Sequence, residues 1–269
     1  MLKPFIMTVD MDPPPWSAPN LDIEKGTTDI LRLFQAHGVH ATFFVPASVA
    51  LAFPELIQKI KGEGHEIACH GLKHDANEAI SSLDEQCHTI RNATNIIESI
   101  AGSKPIGFRA PLFRSNANCR TALRQNNYVY DSSMVCSPFF GNPKIRLLSK
   151  PFFFPCSNHH AECNLLEIPV SVNPFLPFPL GGAYLRILGS RWARMGIRTN
   201  LTFNAPIVFY VHPKDVIHII GGPYWYSSRN TANCMKGLED IILYGKRTGA
   251  KFMKAQELAE LHIGTSTNA

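Results

Sequence analysis

Short apolar runs that end in an acid, a histidine or an arginine, with amphipathic stretches between them, constrain this chain more than any other feature. Phe5 to Val9 ends at Asp10, and Ala41 to Val45 follows a helix-like segment from Ile23 to His37 that Gly38 stops. Pro54 to Glu63 reads as a helix with Leu56, Ile57 and Ile60 on one face, and the strand His65 to Cys69 delivers His70. Ser81 to Ile100 is the longest helix: Ser82 and Glu85 form a capping box, Ile90, Ala93, Ile97 and Ile100 recur at helical spacing, and Gly102 stops it. A strand to Arg109, a helix near Ala117 to Gln125 and a strand Tyr128 to Tyr130 ending in Asp131 follow. Further strands are predicted at Leu165 to Val170, Ile207 to Val211 and Lys251 to Met253, with helices near Tyr184 to Arg198 and Thr231 to Thr248. Such alternation predicts an α/β fold: a distorted, incomplete (β/α) barrel of about seven parallel strands with outer helices, its polar groups gathered just past the strand ends.

The 269 residues suffice for one large domain, expected over residues 1–263, with residues 264–269 as a small, polar, frayed tail. No linker or internal repeat divides them. The net charge of +5 is scattered and forms no basic run, which argues against a nucleic-acid partner. Seven cysteines at irregular spacing do not form the framework of a secreted disulfide protein, and Met1 to Asp10 lacks the features of a cleaved export signal. A cytoplasmic location is expected, with contact at the inner face of a membrane the most that the sequence suggests, since no run approaches the roughly 20 apolar residues that span a bilayer.

The central chemical signal is His70-Gly-Leu-Lys-His74. Imidazoles four apart lie on one side of a helical turn and can ligate one cation, although most pairs at this spacing are solvated or structural histidines. Asp12 supplies a third ligand, because Thr8-Val-Asp-Met-Asp12 ends the first strand and puts two carboxylates on the rim where the histidines emerge. Three protein ligands and an open position for water are the usual makings of a catalytic zinc site. Asp12 is assigned to the metal and Asp10 to the general base.

Five motifs then stand in order: Thr8-Val-Asp-Met-Asp12, His70-Gly-Leu-Lys-His74, Gly107-Phe-Arg-Ala-Pro111, Asp131-Ser-Ser133 and Phe209-Tyr-Val-His-Pro213. In this the chain resembles the NodB homology polysaccharide deacetylases, carbohydrate esterase family four, and most closely their cytoplasmic, exopolysaccharide-associated branch. The resemblance implies a NodB-type distorted barrel and a metal-dependent hydrolase that removes the N-acetyl group from an amino sugar in a polysaccharide, glycan precursor or sugar lipid. It implies Asp10 as base, Asp12, His70 and His74 as ligands of one divalent ion, Arg109 as the group that holds Asp10, and His212 as general acid. Zinc is the first choice of ion, while cobalt, nickel, iron and manganese take the same donors. Asp131 is the family's residue for tuning His212, with Asp215 in His-Pro-Lys-Asp as its rival. An amide near Phe108 to Leu112, or that of Tyr210, is expected to stabilise the oxyanion. A related C–N hydrolase acting on a cyclic amide or ureide, as an allantoinase does, or on a formamido sugar lipid, is the second reading; a catalytically silent sugar-binding barrel is a third that the intact acid, base and ligands disfavour.

Met11 separates two acids that many secreted members carry side by side, and Leu112 stands where the family has an aromatic residue; both departures bear on the substrate rather than the chemistry. Trp16, Pro111, Leu112 and Tyr184 are the candidate substrate contacts. Leu185, Leu188, Trp192 and Met195 are expected on one apolar helix face, with Arg191, Arg194 and Arg198 as a basic side that is either solvated or docks on an anionic membrane or sugar lipid. Cys156 to Cys163 fits no common zinc module, and His65 reads as structural.

Overall fold

A computed structural model describes residues 2–13, 21–75, 77–78, 80–137, 150–154, 165–217 and 231–266. Along it run β1 (Pro4–Asp10), α1 (Leu21–Ala36), β2 (Thr42–Val45), α2 (Ala47–Ala52), α3 (Pro54–Gly62), β3 (Glu66–Cys69), α4 (Leu83–Ala101), β4 (Gly107–Phe108), α5 (Ala117–Gln125) and β5 (Tyr130–Asp131). They are followed by β6 (Phe152–Phe153), β7 (Leu166–Glu167), α6 (Gly182–Thr202), β8 (Ile207–Val211), α7 (Pro213–Val216), α8 (Thr231–Arg247), β9 (Lys251–Phe252) and α9 (Ala255–Ser266). Strands β6-β7-β5-β4-β3-β2 run side by side in that order, and β8 and β9 both pair with β1. Parallel pairing dominates as expected; β6, which the sequence analysis did not anticipate, pairs antiparallel with β7.

Two compact units can be distinguished, each discontinuous in sequence, which is why no linker marks them. The first comprises Met1–Ala41, Val135–Ser149 and Val170–Met253. Its β1 lies on β8 in register from Phe5↔Ile207 to Val9↔Val211. Both strands are buried along almost their whole length, so they read as continuous apolar runs rather than alternating ones. Helix α6 bends at Gly189 (φ 77°, ψ 171°), and the bend shifts the phase of its buried face. Leu185 and Trp192 are buried as expected, but Met195 is exposed and the face continues through Gly196, Ile197 and Asn200. Arg194 pairs with Asp240 at 3.4 Å, so the predicted basic side is partly neutralised.

The second unit comprises Thr42–Met134, Lys150–Pro169 and Lys254–Ala269. Helix α4 begins with the predicted Ser82–Glu85 capping box and ends at Gly102 in the left-handed region. Helix α9 was not expected. Its first amides are satisfied from distant strands: Ala255 N–H donates to Thr42 Oγ1 at 2.8 Å and Gln256 N–H to Glu66 Oε2 at 3.0 Å. That anchorage carries the helix through Ser266, so Gly264 to Ser266 are helical rather than a frayed tail. His65 is buried edge-on to Phe43, as its structural reading requires.

Asp131 and Glu167 are register partners on β5 and β7, and both are buried. Burial pushes the Asp131 carboxyl up to about 6, and burial together with the charge of Asp131 pushes Glu167 well above the carboxylate range. Acids raised in this way favour the folded state where it keeps a proton that the unfolded chain has lost. Stability is therefore expected to fall as pH rises from near 4 through about 6. In Glu167→Gln, denaturant titrations at pH 4.5 and pH 8 should show that loss reduced, by on the order of 1 to 3 kcal/mol; an unchanged pH dependence would contradict the pairing. In α1, a Cβ on Gly26 would sit 2.3 Å from the carbonyl oxygen of Pro213 in α7, backbone that cannot move aside. Gly26→Ala should therefore not gain the ~1 kcal/mol that alanine usually brings to a helix but lose roughly 1 to 3 kcal/mol in a urea titration.

Candidate active site and metal centre

In the first unit the end of β1 carries Asp10, 2% exposed, and beyond it lies Asp12, 8% exposed. Because Val9 pairs with Val211, Asp10 and His212 are the next residues along two adjacent parallel strands. His212 caps the N-terminus of α7, and Asp215 closes the cap. The His212 N–H donates to Asp215 Oδ2 at 2.9 Å, and His212 Nδ1 lies 3.0 Å from the same oxygen. With Nδ1–H directed to Asp215, Nε2 is the working nitrogen, and it lies 3.3 Å from Asp12 Oδ2. Lys214 Nζ donates to Asp12 Oδ2 at 2.8 Å. Burial pushes His212 down, but the carboxylates of Asp12 and Asp215 outweigh it and leave the imidazole above its ordinary value. Burial likewise pushes Asp215 up, and the charge and hydrogen bonds of His212 bring it below the usual range. Behind Asp215, Arg186 of α6 lies buried with Nη1 3.7 Å from Oδ1.

Within its own unit the partner of His212 is thus Asp215, while Asp131 belongs to the second unit. Asp131 accepts a hydrogen bond from the Ser133 hydroxyl instead, and its strand neighbour is Glu167. An acid three residues past the histidine reaches the ring through a single helical turn, which is why the local rival prevails over the residue taken from the motif.

In the second unit His70 follows β3 and its Nδ1 lies 2.6 Å from the Arg109 carbonyl oxygen. That bond places the ring proton on Nδ1 and presents Nε2 as the ligand nitrogen. The rings of His70 and His74 have centroids 5.1 Å apart. They do not meet across a helical turn as expected: Gly71 (φ 81°) and His74 (φ 63°) are left-handed, and the segment between them is a loop. Arg109, fully buried, donates from Nε to Ser132 O at 3.1 Å and from Nη2 to Ser132 Oγ at 2.8 Å, with its guanidinium 4.0 Å above the Phe44 ring. Pro111 is buried, whereas Leu112 is 55% exposed on a strained turn in which Leu112 (φ 53°) and Phe113 (φ 58°) are both left-handed.

Among the described residues, Asp12 of the first unit and His70 and His74 of the second are the candidate metal ligands, each offering one ligand atom. A carboxylate and two imidazoles, one with its tautomer set by a backbone carbonyl, are a donor set suited to one divalent ion. Tyr184 is stacked on Phe178 with centroids 5.1 Å apart, so its ring packs within its own unit. Trp16 and Cys156 to Cys163 lie outside the described residues. Sequence reasoning missed Glu167 and Glu78, each of which acts on another polar group rather than carrying a motif of its own.

Residues 3–130 match the family model described as polysaccharide deacetylase, and residues 141–218 match a second described as a domain of unknown function, DUF3473. A peptidoglycan deacetylase of Helicobacter pylori is 27% identical over 116 residues, covering 43% of this chain and 39% of that protein. A peptidoglycan deacetylase-like protein of Gibberella zeae is 31% identical over 113 residues, covering 40% of this chain and 32% of its own length. This chain therefore matches at most about two fifths of those relatives. A structure assigned to the polysaccharide deacetylases, from Mycobacterium smegmatis, superposes with a TM-score of 0.71 at 18% identity over 98% of this chain and 91% of its own. The Puue allantoinase structure gives 0.69 at 17% identity over 96% and 89%. At such identity these two establish the fold, a parallel-dominated curled sheet with outer helices consistent with a distorted (β/α) barrel. The polysaccharide deacetylase model thus matches just under half of the chain, and the relatives' names and the fold of the similar structures agree with that match.

Proposed function

We propose that this protein is a metal-dependent hydrolase that removes the N-acetyl group from an amino sugar in a polysaccharide, glycan precursor or sugar lipid. The observation that carries this reading is the donor set of Asp12, His70 and His74, one carboxylate and two imidazoles that offer one ligand atom each. A divalent ion held there supplies positive charge that polarises the amide carbonyl and acidifies water. Asp10, buried at the end of β1, takes the proton of the water that attacks the carbonyl carbon, and Arg109 is the group assigned to hold it. His212, its ring held by Asp215, gives a proton from Nε2 to the nitrogen as the carbon–nitrogen bond breaks, so that the amine leaves neutral.

Of the amides considered for the oxyanion, Arg109 N–H donates to Cys69 O, Ala110 N–H to Ser133 Oγ and Tyr210 N–H to Leu180 O. Phe108 lies in a strand paired on both sides, which leaves the amide of the exposed, strained Leu112 as the group we assign to that role. Pro111, Leu112, Tyr184 and Trp16 are the proposed sugar contacts. The name of the Helicobacter pylori relative, a peptidoglycan deacetylase, supports an N-acetylated glycan as the substrate class. A cytoplasmic setting belongs to the same proposal and is supported by Cys69, Cys87, Cys119 and Cys234, which are buried thiols outside any disulfide. No helix among the described residues is long and apolar enough to cross a membrane.

A release assay over N-acetylated oligosaccharides, sugar lipids, formamido sugar lipids and cyclic ureides should yield acetate from at least one sugar substrate. Formate or ureide hydrolysis without acetate from any sugar would overturn the deacetylase in favour of the related C–N hydrolase. Asp10→Asn should keep its metal and lose roughly 10²- to 10⁴-fold in kcat, whereas His70→Ala should lose the metal by elemental analysis; full turnover in the first or full metal in the second refutes the assignment.

A further inference from the structure

We propose that Glu78 is the positioning residue that shapes the loop joining the two histidine ligands, an inference that rests on the metal-centre reading above. The loop from Gly71 to Asp75 is neither strand nor helix, so its backbone donors find no partners in regular structure. Glu78 gathers them. Leu72 N–H donates to Glu78 Oε2 at 2.6 Å, while Lys73 N–H at 2.6 Å and Asp75 N–H at 3.2 Å both donate to Oε1. Bonds to a charged acceptor are the stronger kind, and three converging on one carboxylate fix the path of the chain between the ligands.

The opposite polar edge of the loop is also held. Gly71 O accepts from Ala47 N–H at 3.0 Å and Leu72 O from Ser48 N–H at 2.8 Å, both amides of the first turn of α2. The carbonyls are thereby fastened to a helix end and the amides to one side chain. Gly71 confirms how closely the carboxylate approaches: besides its φ of 81°, a Cβ there would lie 2.6 Å from Glu78 Oε2. His70 is placed by its strand, through its N–H to Val45 O at 2.9 Å and its ring to Arg109 O. His74 lies beyond the strand in a left-handed conformation, so its imidazole depends on the course of the loop. Glu78 is itself tied down, since its N–H donates to Asp75 O at 3.1 Å and its carbonyl accepts from Ser81 Oγ at 3.3 Å, just ahead of the cap of α4. With both oxygens engaged by backbone amides, Glu78 orients ligands and is not one of them.

The test is Zn²⁺ affinity, measured by competition with a fluorescent chelator on the wild type, Glu78→Ala, Glu78→Gln and Gly71→Ala. It is paired with thermal unfolding and amide exchange of each metal-free protein. Glu78→Ala and Gly71→Ala are expected to weaken Zn²⁺ binding roughly ten- to a hundredfold while unfolding close to the wild-type temperature, with faster exchange at Leu72 and Lys73. Glu78→Gln, which keeps the shape and one acceptor oxygen, should fall between the alanine variant and the wild type. A folded Glu78→Ala that binds Zn²⁺ within twofold of a binding wild type overturns the proposal. If the alanine variant does not fold, Glu78→Gln decides, and wild-type affinity in it overturns the proposal. A wild type that binds no Zn²⁺ sinks the metal-centre reading itself, and this inference with it.

Discussion

The parallel register of the strands is the constraint from which the site follows. On β1 and β8 the last paired residues are Val9 and Val211, so Asp10 and His212 emerge side by side, a base and an acid placed by one hydrogen-bond ladder. On β3, β4 and β5 the same rule applies. Cys69 aligns with Phe108 and Phe108 with Asp131, so His70, Arg109 and Ser132 form the next row. That row explains the two bonds that matter most there, His70 Nδ1 to the Arg109 carbonyl and the Arg109 guanidinium to Ser132. A one-residue slip would turn each of these side chains to the opposite face, and heavily buried apolar strands forbid such a slip.

Register delivers residues; it does not orient them. Orientation comes from polar groups one step removed: a backbone carbonyl for His70, the Asp215 carboxylate for His212, and Ser132 for Arg109. Each of these fixes which nitrogen does the work or which way a planar group faces, and each is buried, where a mispaired polar group is expensive. Asp215 shows the logic at short range. It sits in the first turn of a helix that begins at the histidine it orients, so the helix cap and the ring share one acceptor.

How much of this was legible beforehand varied with the range of the determining interaction. The place of Asp10, Asp12, His70, His74 and Arg109 at or beyond strand ends was readable because each closes or follows an apolar run, and run ends are where a parallel sheet exposes polar groups. The choice between Asp131 and Asp215 was not, since motif order names candidates without saying which carboxylate the imidazole turns toward. Helix α9 escaped because its first amides are satisfied by Thr42 and Glu66, some two hundred residues earlier in the chain. The exposure of Met195 escaped because a single left-handed glycine, Gly189, resets the helical phase that an amphipathic reading assumes to be continuous. The His70 to His74 spacing was readable as a pair but not as a shape, and the glycine that permits the loop looks the same in sequence as one that merely follows a strand.

Two kinds of buried charge coexist in this chain, and their difference is instructive. Asp215 is buried among groups that favour its ionised form, so the protein keeps it charged below the ordinary range. Asp131 and Glu167 are buried beside each other, so burial raises both and the charge of Asp131 raises Glu167 further, despite the nearby guanidinium of Arg109. The first arrangement serves orientation of a proton donor and is stable across neutral pH. The second works against the fold as pH rises, and nothing in packing alone requires two acids on adjacent strands. Their place in the row beside Arg109 ties that destabilisation to the same register that sets the guanidinium, so the sheet cannot supply the one without carrying the other.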